Sequence, residues 1–240
     1  MTPTLPQNTE NRRGWLSGLE QALPVLLGYA SIAFAFGILA QKAGISALNT
    51  ISMSVLVYAG SAQLIAVGLF AAGASAASVI LTTFVVNLRH LLLSAALAPH
   101  LKRWRKVELA VFAYELTDET FVLHSTRFAA GRFDKTETFA INVSAQLSWV
   151  LGTGLGIAVG HAVTDIQRFA LDYALPAMFI ALLVMQLKNR VHIIVGALTG
   201  ALATGLSLAG LGQWTVIVAT ILGASIGVLL ESKWTSRPSS

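Results

Sequence analysis

"TTFVVNLRHLLLSAALAP", residues 82–99, decides how this chain is read. The run is lipid-soluble except near its centre, where Asn87, Arg89 and His90 stand within four positions of one another. A charge at the middle of a membrane helix costs roughly 2.5–3.5 kcal/mol on insertion scales, so Arg89 must meet a carboxylate, backbone carbonyls or a wet cavity. On a helix Thr83, Asn87, His90 and Ser94 step by four, three and four residues and form one polar stripe. Arg89 points to another side, shared with Leu93 and, roughly, Thr82. Two readings compete: side chains that tie helices together, with Arg89 in an ion pair, or the lining of a substrate path. The second is the default for an ionisable group at this depth.

Composition puts the whole chain in lipid. Of 240 residues 55% are hydrophobic and 11% charged, the mean hydropathy is +0.70, and the apolar residues fall in long blocks. This predicts an all-α polytopic transmembrane helix bundle. A polar tail (1–14) precedes a single transmembrane domain (15–240), and its first apolar block reads as an uncleaved span. The absence of cysteine excludes a disulfide framework and thiolate metal sites. The net charge of +5 reflects loop placement; it gives no reason to expect nucleic acid as a partner. In Lys102-Arg103-Trp104-Arg105-Lys106 the Trp is expected at headgroup level, with the cations as an interfacial anchor.

Eight apolar segments are expected near residues 21–41, 51–72, 74–98, 107–128, 138–163, 169–187, 191–209 and 212–231. The fourth carries Glu108, Glu115, Asp118, Glu119, His124 and Arg127, which puts its crossing in doubt. If it does not cross and the N-terminus is outside, only Arg12, Arg13 and Arg168 are external, and the remaining loop Lys and Arg are cytoplasmic. The positive-inside rule therefore favours seven spans within a range of six to eight. A re-entrant second segment with a cytoplasmic N-terminus scores as well. In the seven-span arrangement segments one to three and five to seven run in opposite senses, which allows an inverted repeat of halves 21–130 and 138–231. AFAFGILA (33–40) against GTGLGIAV (152–159), and Gln63-Leu64 against Gln186-Leu187, hint at one. Gly152, Gly156 and Gly160 are spaced to line one helix face and admit a close neighbour.

A second constellation lies in VYAGSAQLIAVG (57–68), where Tyr58, Gly60, Ser61 and Gln63 interrupt an apolar segment. An unwound helix facing a polar ligand has this composition, and freed backbone amides there could hold a carboxylate. Packing of small residues, with Gln63 bonded across helices, is the alternative. The third is the fourth segment itself: read as one helix, it gathers Glu108, Glu115, Glu119 and Thr126 in a narrow stripe with Asp118 beside it. Such a stripe lines a lumen, pairs with a base such as Arg89, or faces a partner chain, and a buried carboxylate there can carry a proton. No catalytic constellation emerges. Gly223-Ala-Ser225-Ile-Gly227 fits G-x-S-x-G but falls in a helix, whereas a nucleophile elbow needs a strand and a sharp turn. Neither His161 nor His192 has a spacing that links it to Ser225. No His-Glu-x-x-His or phosphate loop is present, so neither metal nor other cofactor is expected and the chain is not read as an enzyme. A channel, a structural membrane subunit or, more remotely, a membrane-embedded hydrolase are the other classes.

The order of Gly28 and AFAFGILA, VYAGSAQL (57–64), VNLRHLLLSAALAP (86–99) and ELTDETF (115–121) resembles the AzlC-like family of branched-chain amino-acid permeases. The resemblance covers residues 15–231. It implies a multi-pass large subunit of the cytoplasmic (inner) membrane that exports branched-chain amino acids, with a small hydrophobic AzlD-like subunit as partner. It also implies that the family's recurring polar positions fall on Gly60, Ser61, Gln63, Asn87, Arg89, His90, Asp118 and Glu119. With Tyr58 added, the expected substrate site is Tyr58, Gly60, Ser61, Gln63, Asn87, Arg89 and His90. Asp118 and Glu119 are the expected proton-coupling pair.

Overall fold

The computed structural model describes residues 7–160, 162, 173, 180, 183, 184, 187, 190–211 and 214–235. It is all helical over these residues: α1 (Gln7–Lys42), α2 (Ala47–Ser52) running into a π-helical turn (Met53–Val57), α3 (Gly60–Ala71), α4 (Ala76–Leu97) with a 3-10 turn (Ala98–Leu101), α5 (Lys106–Tyr114), α6 (Asp118–Ala129), α7 (Lys135–Gly160), α8 (Arg190–Leu208) and α9 (Trp214–Thr235). Among the described residues four helices, α1, α4 with its 3-10 extension, α7 and α8, are long and apolar enough to cross a membrane. The expected sixth segment lies almost wholly outside the described residues, and His161 and Gln186 lie outside them too.

The core is built on α1 and α7, which run side by side in the same direction. Gly18 lies against Glu137 and Ala140 at one end, and Gly160 against Ile38 and Gln41 at the other. At the centre the two strings compared above meet: a Cβ on Gly37 would touch Gly156 and a Cβ on Gly156 would touch Gly37. The glycine spacing of α7 therefore does what it was expected to do, letting the two backbones into direct contact. The parallel course corrects the seven-span reading, in which segments one and five oppose each other. The likeness of the two strings is that of two small-residue faces packed on one another.

Segments two and four do not cross as single helices. Residues 47–57 descend along α7, with Ile51 near Gly154 and Ser54 Oγ 2.8 Å from Thr153 Oγ1. The chain turns at Tyr58 and Ala59, beside Tyr29 and Trp149. It then climbs back as α3, so that Leu64 and Val67 pack on Phe36 and Ala40. The 12 residues of α3 rise about 18 Å, little more than half of the hydrocarbon thickness. This is a re-entrant hairpin, the arrangement that also satisfied the charge count. Segment four is its counterpart from the opposite face. From Glu108, bonded to Lys135, α5 rises to Tyr114 beside Val55 and Gln146. The chain turns over 115–117, and α6 descends again to Arg127, which bonds Glu137 and Thr138. The narrow carboxylate stripe expected of one continuous helix therefore does not exist: Glu108 sits at the base of the hairpin, and Glu115 and Glu119 at its tip.

The base of the second hairpin is fixed by polar bonds that exclude water. Arg127 is fully buried, pairing with Glu137 and reaching Thr138 Oγ1 at 3.2 Å, while Ser17 of α1 donates to Glu137 at 2.7 Å. His124 and Asn142 share a 2.7 Å hydrogen bond one turn above. Removing one partner of the Arg127–Glu137 pair would strand a buried charge, at a cost of about 3–5 kcal/mol. Trp104, expected as an interfacial anchor, is covered by protein. It is 8% exposed, packed between Phe112 and Phe139 with the Lys135 ammonium over its ring. At the exposed end of α5, hydrogen bonds from Lys135 and the Arg105 amide hold the Glu108 carboxyl below its ordinary range. Among the later helices α8 and α9 pack antiparallel, Gly223 against Thr199 and Gly227 against Val195. Ser225 lies inside helical α9 with its hydroxyl donated to the Ile221 carbonyl, so the G-x-S-x-G string forms no elbow.

Candidate functional site

The two hairpin tips meet half-way along α1, α4 and α7, and a small cavity lies between them. Tyr29 and Ile32 of α1, Tyr58, Ala59, Gly60 and Ser61 of the first tip, Arg89 and His90 of α4, Thr117, Asp118 and Glu119 of the second tip, and Trp149 of α7 line it. Its free space is about 20 Å³, room for about one water.

The first tip is unwound for local reasons. The π-helical turn 53–57 ends on Tyr58, whose φ of 42° is left-handed, a conformation costing about 1–2 kcal/mol for a residue with a Cβ. Burial of its ring offsets that cost: Tyr58 is 2% exposed and packs edge-on against Tyr29. Gly60 is required by its neighbour, since a Cβ there would stand 2.5 Å from Trp149 Cη2. At Ala59 no side chain caps α3, so among the described residues the first amides of that helix keep their donors, at the positive end of its dipole. The second tip closes itself. Thr117 accepts from the Thr120 amide at 3.3 Å and Thr120 Oγ1 from the Thr117 amide at 2.9 Å, a reciprocal cap.

Arg89 joins the two tips to α4. Its Nη1 lies 2.7 Å from Asp118 Oδ2 and its Nη2 donates to Ser61 Oγ at 2.5 Å. Tyr29 Oη stands 2.7 Å from Glu119 Oε2 and 2.5 Å from Thr117 Oγ1. The carboxylate can only accept, so the phenolic proton goes to it. Four buried polar atoms on lining residues, Tyr58 Oη, Arg89 Nε, His90 Nε2 and Trp149 Nε1, have no hydrogen-bond partner among the described residues. Arg Nε and Trp Nε1 are donors only, and Tyr Oη and His Nε2 can donate. The lining of the cavity therefore offers unspent donors from the first tip, α4 and α7 together with the carboxylates of Asp118 and Glu119 from the second tip.

Of the residues expected from sequence, Tyr58, Gly60, Ser61, Arg89, His90, Asp118 and Glu119 come together here. Gln63 does not line the cavity; it is fully buried and donates to Ser54 Oγ at 3.2 Å, bracing the first hairpin internally. Asn87 also lies off the cavity, its Oδ1 buried without a partner among the described residues. Tyr29, Thr117 and Trp149 were not expected. A signal for Thr117 was present: Tyr58-x-x-Ser61-x-Gln63 recurs as Tyr114-x-x-Thr117-x-Glu119, one copy at each tip. The two hairpins enter from opposite faces, so inverted likeness resides in them and not in α1 and α7. Among the described residues no group of His, Asp and Glu is arranged to hold a metal ion.

Paired re-entrant hairpins with half-helix ends at mid-depth, around ionisable side chains, define a membrane transport protein. The chain belongs to the AzlC family, whose model, described as AzlC protein, matches residues 24–163 and so spans both hairpins. It is 30% identical to the inner membrane protein YgaZ of Escherichia coli (strain K12), over 99% of this chain and 98% of that one. It is 28% identical to the branched-chain amino acid transport protein AzlC of Bacillus subtilis (strain 168), over 89% and 83% of the two chains. An uncharacterized membrane protein of Archaeoglobus fulgidus is 30% identical over 86% of this chain and 90% of its own. No solved structure matches it.

Proposed function

We propose that the chain is the large subunit of an exporter of branched-chain amino acids (valine, leucine, isoleucine and, by its similar shape, methionine), with the cavity between the hairpin tips as its substrate site. The observation that carries this reading is that unpartnered donors and carboxylates line the same cavity. A zwitterion needs both. Its carboxylate suits the planar fork of Arg89 and the uncapped start of α3, its ammonium suits Asp118 and Glu119, and Ile32 with the aromatic rings receives the aliphatic tail. Membership of the AzlC family and the name of the Bacillus subtilis relative, a branched-chain amino acid transport protein, support the substrate class.

The small hydrophobic AzlD-like subunit comes from the family resemblance, and the inner-membrane setting is supported by the Escherichia coli relative's name. Proton coupling is assigned to Glu119, because Asp118 is always opposite a charge, Arg89 or the ligand's ammonium, while Glu119 has no ion pair among the described residues. Sidedness follows from charge. Among the described residues of α1–α7, Arg12, Arg13, Lys102, Arg103, Arg105, Lys106, Arg132 and Lys135 cluster at the end where α1 begins, against Lys42 at the other, which supports a cytoplasmic N-terminus. Ser46→Cys should then label from outside intact cells and Lys102→Cys should not.

Counterflow of labelled valine, leucine, isoleucine and methionine in proteoliposomes, with and without the small subunit, tests the function. Saturable exchange is expected. Glu119→Gln should keep exchange and lose accumulation driven by a pH gradient; absence of exchange for all four amino acids with the partner present would refute the reading.

A further inference from the structure

The cavity is too small for the ligand its lining suits. About 20 Å³ admits a water but no leucine, so a substrate has to displace something. What occupies the centre is the Arg89 guanidinium and its two bonds, one to each hairpin tip: Asp118 at the start of α6 and Ser61 at the start of α3. Neither partner of the ion pair is sealed off, with Arg89 26% and Asp118 20% exposed, whereas Ser61 is buried. Arg89 Nε on the same guanidinium is buried without a partner, so the group has a donor to spare even while the pair is closed. The other ionisable groups on the lining are His90 of α4, Glu119 of α6, Tyr29 of α1 and Tyr58 of the first tip.

We propose that Asp118 is a displaceable stand-in for the substrate: the Arg89–Asp118 pair closes the cavity, and an amino acid enters by inserting between them, giving its carboxylate to Arg89 and its ammonium to Asp118. The exchange is neutral. One internal ion pair becomes two pairs with a zwitterion, and no charge is left alone in the low-dielectric interior at either stage. A ligand carrying only one of the two charges would strand either Asp118 or Arg89, a loss of roughly a hundredfold or more in affinity. The same swap replaces the direct ion pair between the second tip and α4 by one that runs through the ligand, so filling the site and opening that contact become one event. Selectivity for amino acids over simple carboxylates then comes from Asp118 and not from the shape of the pocket. This inference deepens the functional reading above and rests on its assignment of the site.

The test uses the full chain purified in detergent, with L-leucine, 4-methylpentanoate (leucine without its amino group) and 3-methylbutylamine (leucine without its carboxylate) as ligands in calorimetric titration. Wild-type protein should bind leucine, and the two single-charge compounds at least a hundredfold more weakly. Asp118→Asn, which leaves Arg89 without its counter-ion, should bind 4-methylpentanoate at least tenfold more tightly than wild type and leucine at least tenfold more weakly. Asp118→Glu should restore the wild-type ranking. If wild type binds leucine and 4-methylpentanoate within tenfold of each other, the displaceable-pair idea fails while the functional reading stands, and this arm decides even if Asp118→Asn does not fold. Unchanged 4-methylpentanoate affinity in a folded Asp118→Asn also overturns it. No leucine binding to wild type, together with no amino-acid counterflow, removes the functional reading and this inference with it.

Discussion

The two hairpin tips solve the same geometric problem with opposite chemistry. Each interrupts a helix near the middle of the bundle and must satisfy the backbone groups it frees where water is scarce. The second tip does so with side chains: Thr117 and Thr120 cap each other's amides, and Tyr29 and Arg89 take up the carboxylates of Glu119 and Asp118. The first tip has Ala59 and Gly60 where those caps would be, a left-handed Tyr58 held by aromatic packing, and helix amides that no side chain claims. A tip that satisfies itself presents negative charge, and a tip that does not presents donors. Their apposition across Arg89 gives one cavity both signs. The difference also implies different failure modes: the first tip should be sensitive to volume and the second to lost hydrogen bonds.

Replacing Gly60 by Leu tests the volume side and should have the largest effect. The Cβ alone meets Trp149 at 2.5 Å, so the tip must shift by about an ångström, enough for roughly a hundredfold loss of exchange in proteoliposomes. Near-normal exchange in Gly60→Leu would mean that the first tip is not built around this contact. Arg89→Lys keeps the charge between the tips but loses the fork that serves Asp118 and Ser61 together. Leucine affinity should fall by about ten- to a hundredfold, with the protein still inserted. Equal affinity in this variant would separate the arginine from the ligand. Thr117→Val removes the cap and the bond to Tyr29 at nearly constant volume. A loss of about 1–2 kcal/mol is expected, read as a fall of a few degrees in thermal stability with exchange per folded molecule little changed. The smallest effect belongs to Gln63→Ala. Because Gln63 braces the first hairpin through Ser54, stability should drop by about 1 kcal/mol while leucine affinity stays within about twofold. A large affinity loss there would return Gln63 to the site, as its place in the motif suggests.

Several of these residues were legible from the start because lipid makes polarity expensive. Arg89 within an apolar run, the Gly-Ser break after Tyr58 and the acidic fourth segment each violate the solvent rule, and each contributes to the cavity. Tyr29 and Trp149 could not be found this way: an aromatic residue in an apolar helix breaks no rule, and only the crossing of α1 and α7 with the tips gives those rings a polar setting. Gln63 lies off the cavity for the converse reason, since a polar residue on a membrane helix can spend its hydrogen bonds on structure.

The sequence by itself determined that this is an all-α membrane protein, where its apolar segments lie, that the second is broken near Gly60, that the fourth is too acidic to cross plainly, and that α7 offers a glycine face to a close neighbour. Those properties depend on transfer free energy and local spacing, which each residue carries with it. Whether an interrupted segment crosses or turns back was decided only by tertiary structure. A break permits both courses, and the choice depends on what waits at mid-depth: the small-residue contact of α1 with α7, the buried Arg127 bonds that fix the second hairpin's base, and the guanidinium of Arg89, which only in three dimensions stands between Ser61 and Asp118.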